Sequence, residues 1–505
     1  MSGILFNNIP GSGLVAPLFG FEVNSGGQYS ADQRIVILAP KTTAGTMALA
    51  QRYFVASQDD ADRYAGAGSM LREMYRVARL NAPVTPIQLV ALDDSGGTAG
   101  VWSISLASIS NTSGVGTFEI DGEQIQINVG LTDTPTTIAA ALAAAINAYY
   151  DTLTNKMLPV TATSSGAVVT LTSRNKCAIV SDLDIYVSSG ISGNIFAGTG
   201  VFTSAVVTAP AGVPSLSAAL AALGDDPADT IITPFADANS ILAYGNATND
   251  QNGRWAYFRQ SYGHVWAPYT GSLSASTTFG LSLNDRHLSL IRRIPGTVSS
   301  AWAWVAGRAA LESVWLFDCV TGNVSRNQTG RVVQGVRGPR DRTTLDNYAA
   351  RNTLLGCGIS TFSMRFDGAI MVDKTITTYR VGASGQPDTV FRDVQALYQV
   401  AGGLAFMRSE FATECGQKAL ADSNPGGLGA IVTPDDAKAN FIHSYTTLGL
   451  RGVFQNADTF STLLLVKINA ENPDRLDAYL PMDRVNPLDI LAANATIYQQ
   501  YPQAA

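Results

Sequence analysis

The sequence predicts a multidomain chain of the α/β and α+β classes, with one core domain assembled from its N- and C-terminal segments. The chain has 505 residues, which is too many for a single hydrophobic core. A strand, a helix and a second strand follow one another between residues 34 and 92, and hairpin-like alternation begins after residue 97. Both chain ends combine Gly, Pro and Asn with short apolar runs, which is typical of extended arms rather than helices.

The N-terminal segment of the core domain is predicted to be a βαβ unit. Arg34–Ala39 is a short apolar run closed by Pro40, and Ile87–Leu92 is a second such run. Between them, apolar residues recur at helical spacing from Met70 to Ala78. Two strands joined by a helix at this separation predict a parallel pair.

An inserted β-rich domain is predicted next. Phe118–Ile120 and Ile125–Val129 alternate around Asp121-Gly122, which is a strong signal for a β-hairpin. Thr134 followed by Pro135 predicts the start of the Ala-rich helix Ile138–Ala148, because Thr caps a helix and Pro suits its first turn. Short helices at Ser217–Leu223 and Ala301–Val314, with a strand at Thr230–Thr233, then predict an inserted α/β domain.

The C-terminal segment of the core domain carries the longest helical pattern, from about Asp388 to Leu420. Gly402-Gly403 interrupt it, so the pattern fits two abutting or kinked helices as well as one rod. Phe460–Ile468 and Leu476–Leu480 have strand character. The predicted division is an N-terminal arm at 1–28, the N-terminal core segment at 29–96, the β-rich insertion at 97–212, the α/β insertion at 213–345, the C-terminal core segment at 346–486 and a C-terminal arm at 487–505.

Composition excludes several classes of function. Charged residues make up 14% of the chain, against about 25% in an ordinary soluble domain. The net charge of −7 argues against a nucleic-acid partner, whose binding proteins normally carry a basic stripe. No run of apolar residues approaches the length of a transmembrane helix, and the first residues do not resemble a signal peptide, so membrane insertion is not expected.

No catalytic, cofactor-binding or metal-binding site is expected, and we predict that the protein is not an enzyme. The histidines fall in no HExxH motif, no GxSxG serine and no phosphate-binding glycine loop occurs, and no two cysteines have zinc-ligand spacing. The adjacent pair Asp435-Asp436 follows Thr433-Pro434 and therefore predicts a helix start rather than a metal site. The histidines and cysteines in question are His264, His287, His443, Cys177, Cys319, Cys357 and Cys415.

Several segments resemble the contractile tail sheath proteins of myophages, the Mu-like group in particular. Gly3–Pro10, with Pro17–Phe19 and Glu22–Asn24, is similar to the family's N-terminus. Further similarity lies at Gly68–Leu71, Phe118–Val129, Thr134–Ala148, Leu158–Thr172, Val466–Asn469, Asn472–Asp477 and Asn486–Leu488. The resemblance spans nearly the whole chain, and residues 213–345 contribute least to it.

The resemblance implies a structural subunit that stacks as hexameric rings in a helix around an inner tail tube. Contraction of that helix would drive the tube through the host envelope for genome ejection. The expected partners are other copies of the chain, the inner tail tube protein, and baseplate and tail terminator proteins. The expected location is the virion tail, with assembly in the host cytoplasm. The alternatives are a sheath of a related, bacteriocin-like contractile injection system and a secreted β-rich adhesin or carbohydrate-active protein.

Two sets of residues are expected to make the contacts of such a sheath. Both terminal arms would add strands to sheets of neighbouring subunits, which the apolar residues in the arms favour. The exposed side of the 388–420 region would face acidic residues of the tube through Arg392, Arg408 and Lys418. The arm residues are Leu14, Val15, Leu18, Phe19, Phe21, Val23, Ile490, Leu491, Ile497 and Tyr498.

Overall fold

A computed structural model describes residues 35–106, 113–187, 193–197, 202–317 and 326–497 of the chain. Its strands are β1 (Ile35–Pro40), β2 (Arg52–Val55), β3 (Ile87–Leu92), β4 (Val101–Leu106), β5 (Gly114–Ile120), β6 (Glu123–Val129), β7 (Tyr150–Asp151), β8 (Lys156–Met157), β9 (Val160–Ser165), β10 (Val168–Ser173), β11 (Ile185–Tyr186), β12 (Phe202–Thr208), β13 (Thr230–Ile232), β14 (His264–Thr270), β15 (Leu288–Arg293), β16 (Ile359–Met364), β17 (Ile370–Lys374), β18 (Ala419–Leu420), β19 (Ile431–Val432), β20 (Leu465–Ile468) and β21 (Leu476–Tyr479).

The α-helices of the described residues connect and cover these strands. They are α1 (Gln58–Ala65), α2 (Met70–Asn81), α3 (Pro135–Ala148), α4 (Ser217–Ala221), α5 (Ala238–Thr248), α6 (Leu273–Leu281), α7 (Ala301–Leu316), α8 (Tyr348–Gly356), α9 (Val394–Cys415), α10 (Pro434–Leu450) and α11 (Ala457–Leu463). None of them combines the length and the apolar character that a helix needs to cross a lipid bilayer. The prediction of a mixed α/β chain is confirmed at the level of fold class.

Among the described residues, the main sheet has eight strands in the order β17-β16-β15-β14-β13-β1-β3-β2. The predicted βαβ unit is confirmed, because β1 and β3 pair in parallel and α2 connects them. The strand predicted at Thr230–Thr233 is β13, and it lies with β14 and β15 in the middle of this sheet, between β1 and β16. A short apolar run predicts a buried strand, but the sheet it joins depends on long-range pairing that the run itself does not encode.

Strands between residues 101 and 208 form separate antiparallel sheets, in the orders β12-β4-β10-β9 and β11-β5-β6. The predicted hairpin is confirmed, since β5 and β6 pair on either side of Asp121-Gly122. Both turn residues have positive φ, at 50° and 80°, as the tight turn requires. The predicted start of α3 is also confirmed: the Thr134 side chain accepts a hydrogen bond from the Thr137 amide at 3.2 Å.

The turn between β5 and β6 lies in a buried cluster of charged side chains. One carboxylate oxygen of Asp121 lies 3.0 Å from the Lys156 ammonium, and the other accepts the Ser300 amide at 2.8 Å, just before α7. Lys156 is also 3.4 Å from Glu123. Burial raises the pKa of the Asp121 carboxyl, whereas the neighbouring ammonium of Lys156 acts in the opposite direction. The cluster therefore anchors the hairpin to α7 through groups that water cannot solvate.

The C-terminal region of the described chain packs around α9, α10 and α11. The helical pattern predicted from Asp388 to Leu420 is shorter in the structure, where α9 runs unbroken for 22 residues through both glycines. The residues predicted as a strand from Phe460 to Ile468 divide into the end of α11 and the strand β20. Packing favours a glycine at position 403 of this continuous helix, because a Cβ there would lie 2.6 Å from the Phe454 ring.

Replacing Gly403 with Ala is therefore expected to destabilise the C-terminal region of the protein despite the higher helix propensity of Ala. The clash with Phe454 should outweigh a gain of about 1 kcal/mol in propensity and leave a net loss of about 1–3 kcal/mol. Gly245→Ala in α5 is the matched control, because the nearest heavy atom to its added Cβ is 4.0 Å away. Thermal unfolding of both variants checks the prediction, and equal midpoints would contradict it.

We expect the buried His264, at the start of β14, to make the stability of the fold depend on pH. Its ring is buried, and Nε2 lies 2.8 Å from the Ser289 hydroxyl. Burial lowers the pKa of this imidazole well below its usual range. The unfolded chain therefore binds a proton that the folded chain does not, so stability is lost as the pH falls below the unfolded pKa of about 6.5.

We expect the free energy of unfolding to fall by up to about 1.4 kcal/mol per pH unit below about pH 6.5 through this residue alone. Urea denaturation at pH 7, 6 and 5 measures the slope. His264→Gln should flatten the profile over this window, although its stability at pH 7 will be lower. His443→Gln, on an exposed position of α10, should keep the wild-type slope.

Candidate assembly surfaces

A two-stranded hairpin near the C-terminus has open strand edges within the described residues. In β20–β21, Leu465 pairs with Tyr479 and Lys467 pairs with Asp477. Leu465 and Tyr479 are 64% and 62% exposed, so an apolar pair faces outward. Within the described residues each strand pairs only with the other, which leaves two strand edges free to accept a further strand.

The opposite face of the hairpin is held by the helices. Val466 packs against both apolar clusters of the C-terminal region, which contain Met407 of α9 and Ala437 of α10. Behind it, the Tyr445 ring stacks on Phe460 with the ring centroids 3.8 Å apart and on Phe454 with the centroids 5.2 Å apart. An isolated two-stranded hairpin is only marginally stable in water. This packing therefore holds the hairpin in place with its outer face and strand edges exposed.

The predicted C-terminal arm begins in an extended, exposed segment. Residues 487–497 form no helix or strand, and Ile490, Leu491 and Ile497 are 80%, 83% and 94% exposed. Single exposed apolar residues are ordinary, but three in one unpaired segment form an uncovered apolar stretch. The other predicted arm residues, Leu14, Val15, Leu18, Phe19, Phe21, Val23 and Tyr498, lie outside the described residues.

The three predicted tube-facing cations do not share one helix. Only Arg408 lies on α9, where its guanidinium donates to the Gln260 side-chain oxygen at 2.6 Å. Arg392 precedes α9 and Lys418 follows it, and all three side chains are exposed. Because α9 has 22 residues and each adds about 1.5 Å, the outer two lie at opposite ends of a rod of roughly 33 Å.

Acidic residues surround Lys418. It lines a groove together with Glu410, Glu414 and Asp436. The groove therefore has more carboxylates than ammonium groups, and Lys418 is not part of a basic patch. Sequence spacing could not reveal this, because Asp436 approaches from α10.

Sequence reasoning also missed an exposed aromatic pair. Tyr257 and Phe258 are 82% and 61% exposed, with their ring centroids 5.3 Å apart. The loop that carries them is fixed by the buried Arg254, which donates to the carbonyl oxygens of Gly224 and Asp226 at 2.7 Å. The Arg-Trp-Ala-Tyr-Phe run was the available signal, but an aromatic run in sequence is equally typical of a core.

The described residues contain no group of three or more His, Cys, Asp or Glu side chains that could hold a metal ion. Cys177, Cys357 and Cys415 are free and buried. Burial raises the pKa of the Cys177 thiol to about 12, so this side chain stays protonated at neutral pH.

No protein-family model matches the chain. It is 26% identical over 498 residues to the Mu-like prophage FluMu tail sheath protein of Haemophilus influenzae, an alignment that covers 97% of this chain and 98% of the relative. The chain is a homologue of this Mu-like tail sheath protein over nearly the full length of both chains. The resemblance to Mu-like tail sheath proteins, predicted above from separate segments of the sequence, is thereby confirmed.

Solved structures of tail sheath proteins are also similar to this chain. The sheath tail protein of Desulfitobacterium hafniense matches with a TM-score of 0.47 at 12% identity, covering 93% of this chain and 97% of that one. The sheath tail protein of Listeria innocua matches with a TM-score of 0.46 at 14% identity, covering 90% and 93%. The contracted helical sheath of the anti-feeding prophage matches with a TM-score of 0.44 at 11% identity, covering 95% and 99%.

Proposed function

We propose that this sheath protein polymerises as helically stacked hexameric rings around an inner tail tube and contracts to drive that tube through the host envelope. The observation that carries the proposal is the alignment with a Mu-like tail sheath protein along almost the full length of both chains. The proposed partners are other copies of the chain, the tube protein, and baseplate and tail terminator proteins. The proposed assembly site is the host cytoplasm, and the final location is the virion tail.

Negative-stain electron microscopy of the purified protein tests polymerisation directly. Long hollow rods, or regular rods formed on added tail tubes, are the expected result. Monodisperse globular particles at all concentrations, with and without tubes, would contradict the proposal. Images of rods formed on tubes, recorded before and after contraction is triggered, show whether the rods shorten and widen.

We further propose that neighbouring subunits are joined by strand addition at β20–β21. A terminal arm of one copy would pair with a free edge of this hairpin in another, and the arm's apolar side chains would cover Leu465 and Tyr479. About six ladder hydrogen bonds at roughly 0.5–1.5 kcal/mol each would contribute on the order of 3–9 kcal/mol per arm. The proposed arm strands are Leu14–Val23 and Ile490–Tyr501. We also propose that the domains of the chain end at residues 28, 96, 212, 345 and 486.

The tube contact is proposed to involve Arg392, Arg408 and Lys418. A sheath must slide on its tube, so a few polar contacts suit the task better than a large apolar interface. Each exposed ion pair contributes only about 0–1 kcal/mol, which is weak singly and adequate when repeated in every subunit.

Reversing all three charges to Glu is expected to reduce the amount of sheath that co-sediments with tubes, by about threefold to tenfold at low salt. Rod formation in the absence of tubes should be unchanged, because the substitutions leave the hairpin and the arms intact. Since the three residues lie at separate places on and beside α9, single reversals identify which of them contributes. Unchanged co-sedimentation of the triple variant would contradict the tube contact.

A further inference from the structure

The C-terminal segment is fixed to two regions of the structure before it becomes exposed. The Val485 amide donates to the Val453 carbonyl at 3.1 Å, and the Gln399 side chain donates to the Val485 carbonyl at 2.9 Å. The Leu488 carbonyl then accepts from the Asn327 side chain at 2.6 Å. Beyond Asp489, residues 490–497 make no hydrogen bond or ion pair within the described region of the chain. Asp489 is therefore the last fixed point of this segment.

Asp489 is held by a row of alternating charges. Its carboxylate forms an ion pair with Lys374, and the Lys374 ammonium lies 2.9 Å from the Asp393 carboxylate. Asp393 in turn lies 3.5 Å from the Arg484 guanidinium. The four side chains are between 9% and 27% exposed, so water only partly screens these contacts.

The members of this row belong to three different regions of the protein. Lys374 is the last residue of β17, which is an edge strand of the main sheet. Asp393 is the residue immediately before α9. Arg484 and Asp489 lie on the C-terminal segment itself. The row thus connects the base of that segment to the main sheet and to the start of α9.

The residue after Asp489 lies on the wall of a groove along the course of the C-terminal segment. Ile490 lines a groove of about 530 Å³ with Tyr348 and Leu355 of α8 and with Ile376, two residues after β17. Lys374 and Asp489 line this groove as well. Their ion pair therefore lies at the place where the C-terminal segment meets the groove.

We propose that Lys374 is a positioning residue that fixes the direction in which the C-terminal arm leaves the subunit. This inference rests on the proposed role of residues 490–501 as an assembly arm. A helical lattice requires every arm to reach the same place on its neighbour, and an arm whose base is already oriented loses less conformational entropy on binding. Releasing the base should weaken assembly while the fold and the arm sequence stay intact.

Asp489→Asn tests the inference with minimal change of shape. We expect the critical concentration for rod formation to rise by about threefold to tenfold, with an unchanged thermal unfolding midpoint. Arg365→Gln is the matched control, because it removes an exposed ion pair with Asp367 away from the arm. A critical concentration of Asp489→Asn equal to that of the control would overturn the proposal.

A spin label at residue 491, introduced by Leu491→Cys, measures how mobile the chain is next to the arm base in the unassembled subunit. The described native cysteines are buried, and the labelled wild-type chain supplies the background signal. Lys374→Met and Asp489→Asn should each make the label more mobile, which a general loss of stability at another place would not do. Equal mobility in all three proteins would overturn the proposal. Absence of rods from the wild-type protein would instead count against the proposed function, and the label would still report on the arm base.

Discussion

Deletion of residues 489–505 is expected to leave a folded, monomeric subunit that no longer forms rods. The described residues of this segment contribute no helix, strand or buried apolar side chain, so their removal costs the fold little. Each subunit would lose the strand that we propose pairs with β20–β21 of a neighbour. A loss of on the order of 3–9 kcal/mol per contact corresponds to an increase of at least about a hundredfold in the critical concentration.

Sedimentation and negative-stain microscopy measure the effect, and circular dichroism confirms the fold. The shorter deletion of residues 491–505 retains Asp489 and its ion pair with Lys374, so it separates the loss of the arm from the loss of its orientation. A matched substitution test replaces Ile490, Leu491 and Ile497 with Ser and compares this variant with Leu153→Ser, which changes an apolar residue that is 92% exposed outside the arm.

Deletion of residues 1–24 should abolish rod formation in the same way as deletion of residues 489–505 if both arms pair. Regular rods from either truncated protein would contradict strand addition for that arm.

Lys156→Met is expected to cause the largest loss of stability of the single substitutions proposed for this protein. The side chain is 7% exposed and compensates Asp121 and Glu123, whereas Glu73 is already paired with Arg76. Removing one partner from a buried group of charges typically costs about 3–5 kcal/mol, because the remaining charge has neither water nor a counter-ion. We therefore expect the hairpin of β5 and β6 to separate from α7 at lower temperature or denaturant concentration.

The loss of stability caused by Lys156→Met should also depend on pH. Burial already raises the pKa of the Asp121 carboxyl, and loss of the ammonium would raise that pKa further. A folded pKa above the unfolded value means that the folded state binds more protons, so the variant gains relative stability as the pH falls. Urea denaturation at pH 7 and pH 5 should show a smaller difference from wild type at pH 5. Lys176→Met, on an exposed side chain, is the control and should change stability by less than about 0.5 kcal/mol at either pH.

Local elements could be predicted from the sequence because their signals lie within a few residues. Asp121-Gly122 between alternating strands specifies a hairpin, since few other residues accept two positive φ angles in succession. Thr134-Pro135 and Thr433-Pro434 specify helix starts, and both helices begin at the predicted proline with a capping box. The tail sheath resemblance likewise rested on short segments spread along the whole chain, and the full-length alignment confirms it.

Long-range pairing and packing were decided only by the tertiary structure. The run at Thr230–Thr233 identifies a strand, but its place beside β1 depends on which strands can bury both of its faces. Gly402-Gly403 indicated a break in α9, whereas the ring of Phe454 provides the reason for a glycine within a continuous helix. The charges at Lys374, Asp393 and Asp489 are separated by up to 115 residues, so no pattern of spacing could place them together. Side chains meet according to the path of the backbone in space, and the local propensity of a residue carries no information about partners that the fold brings from elsewhere.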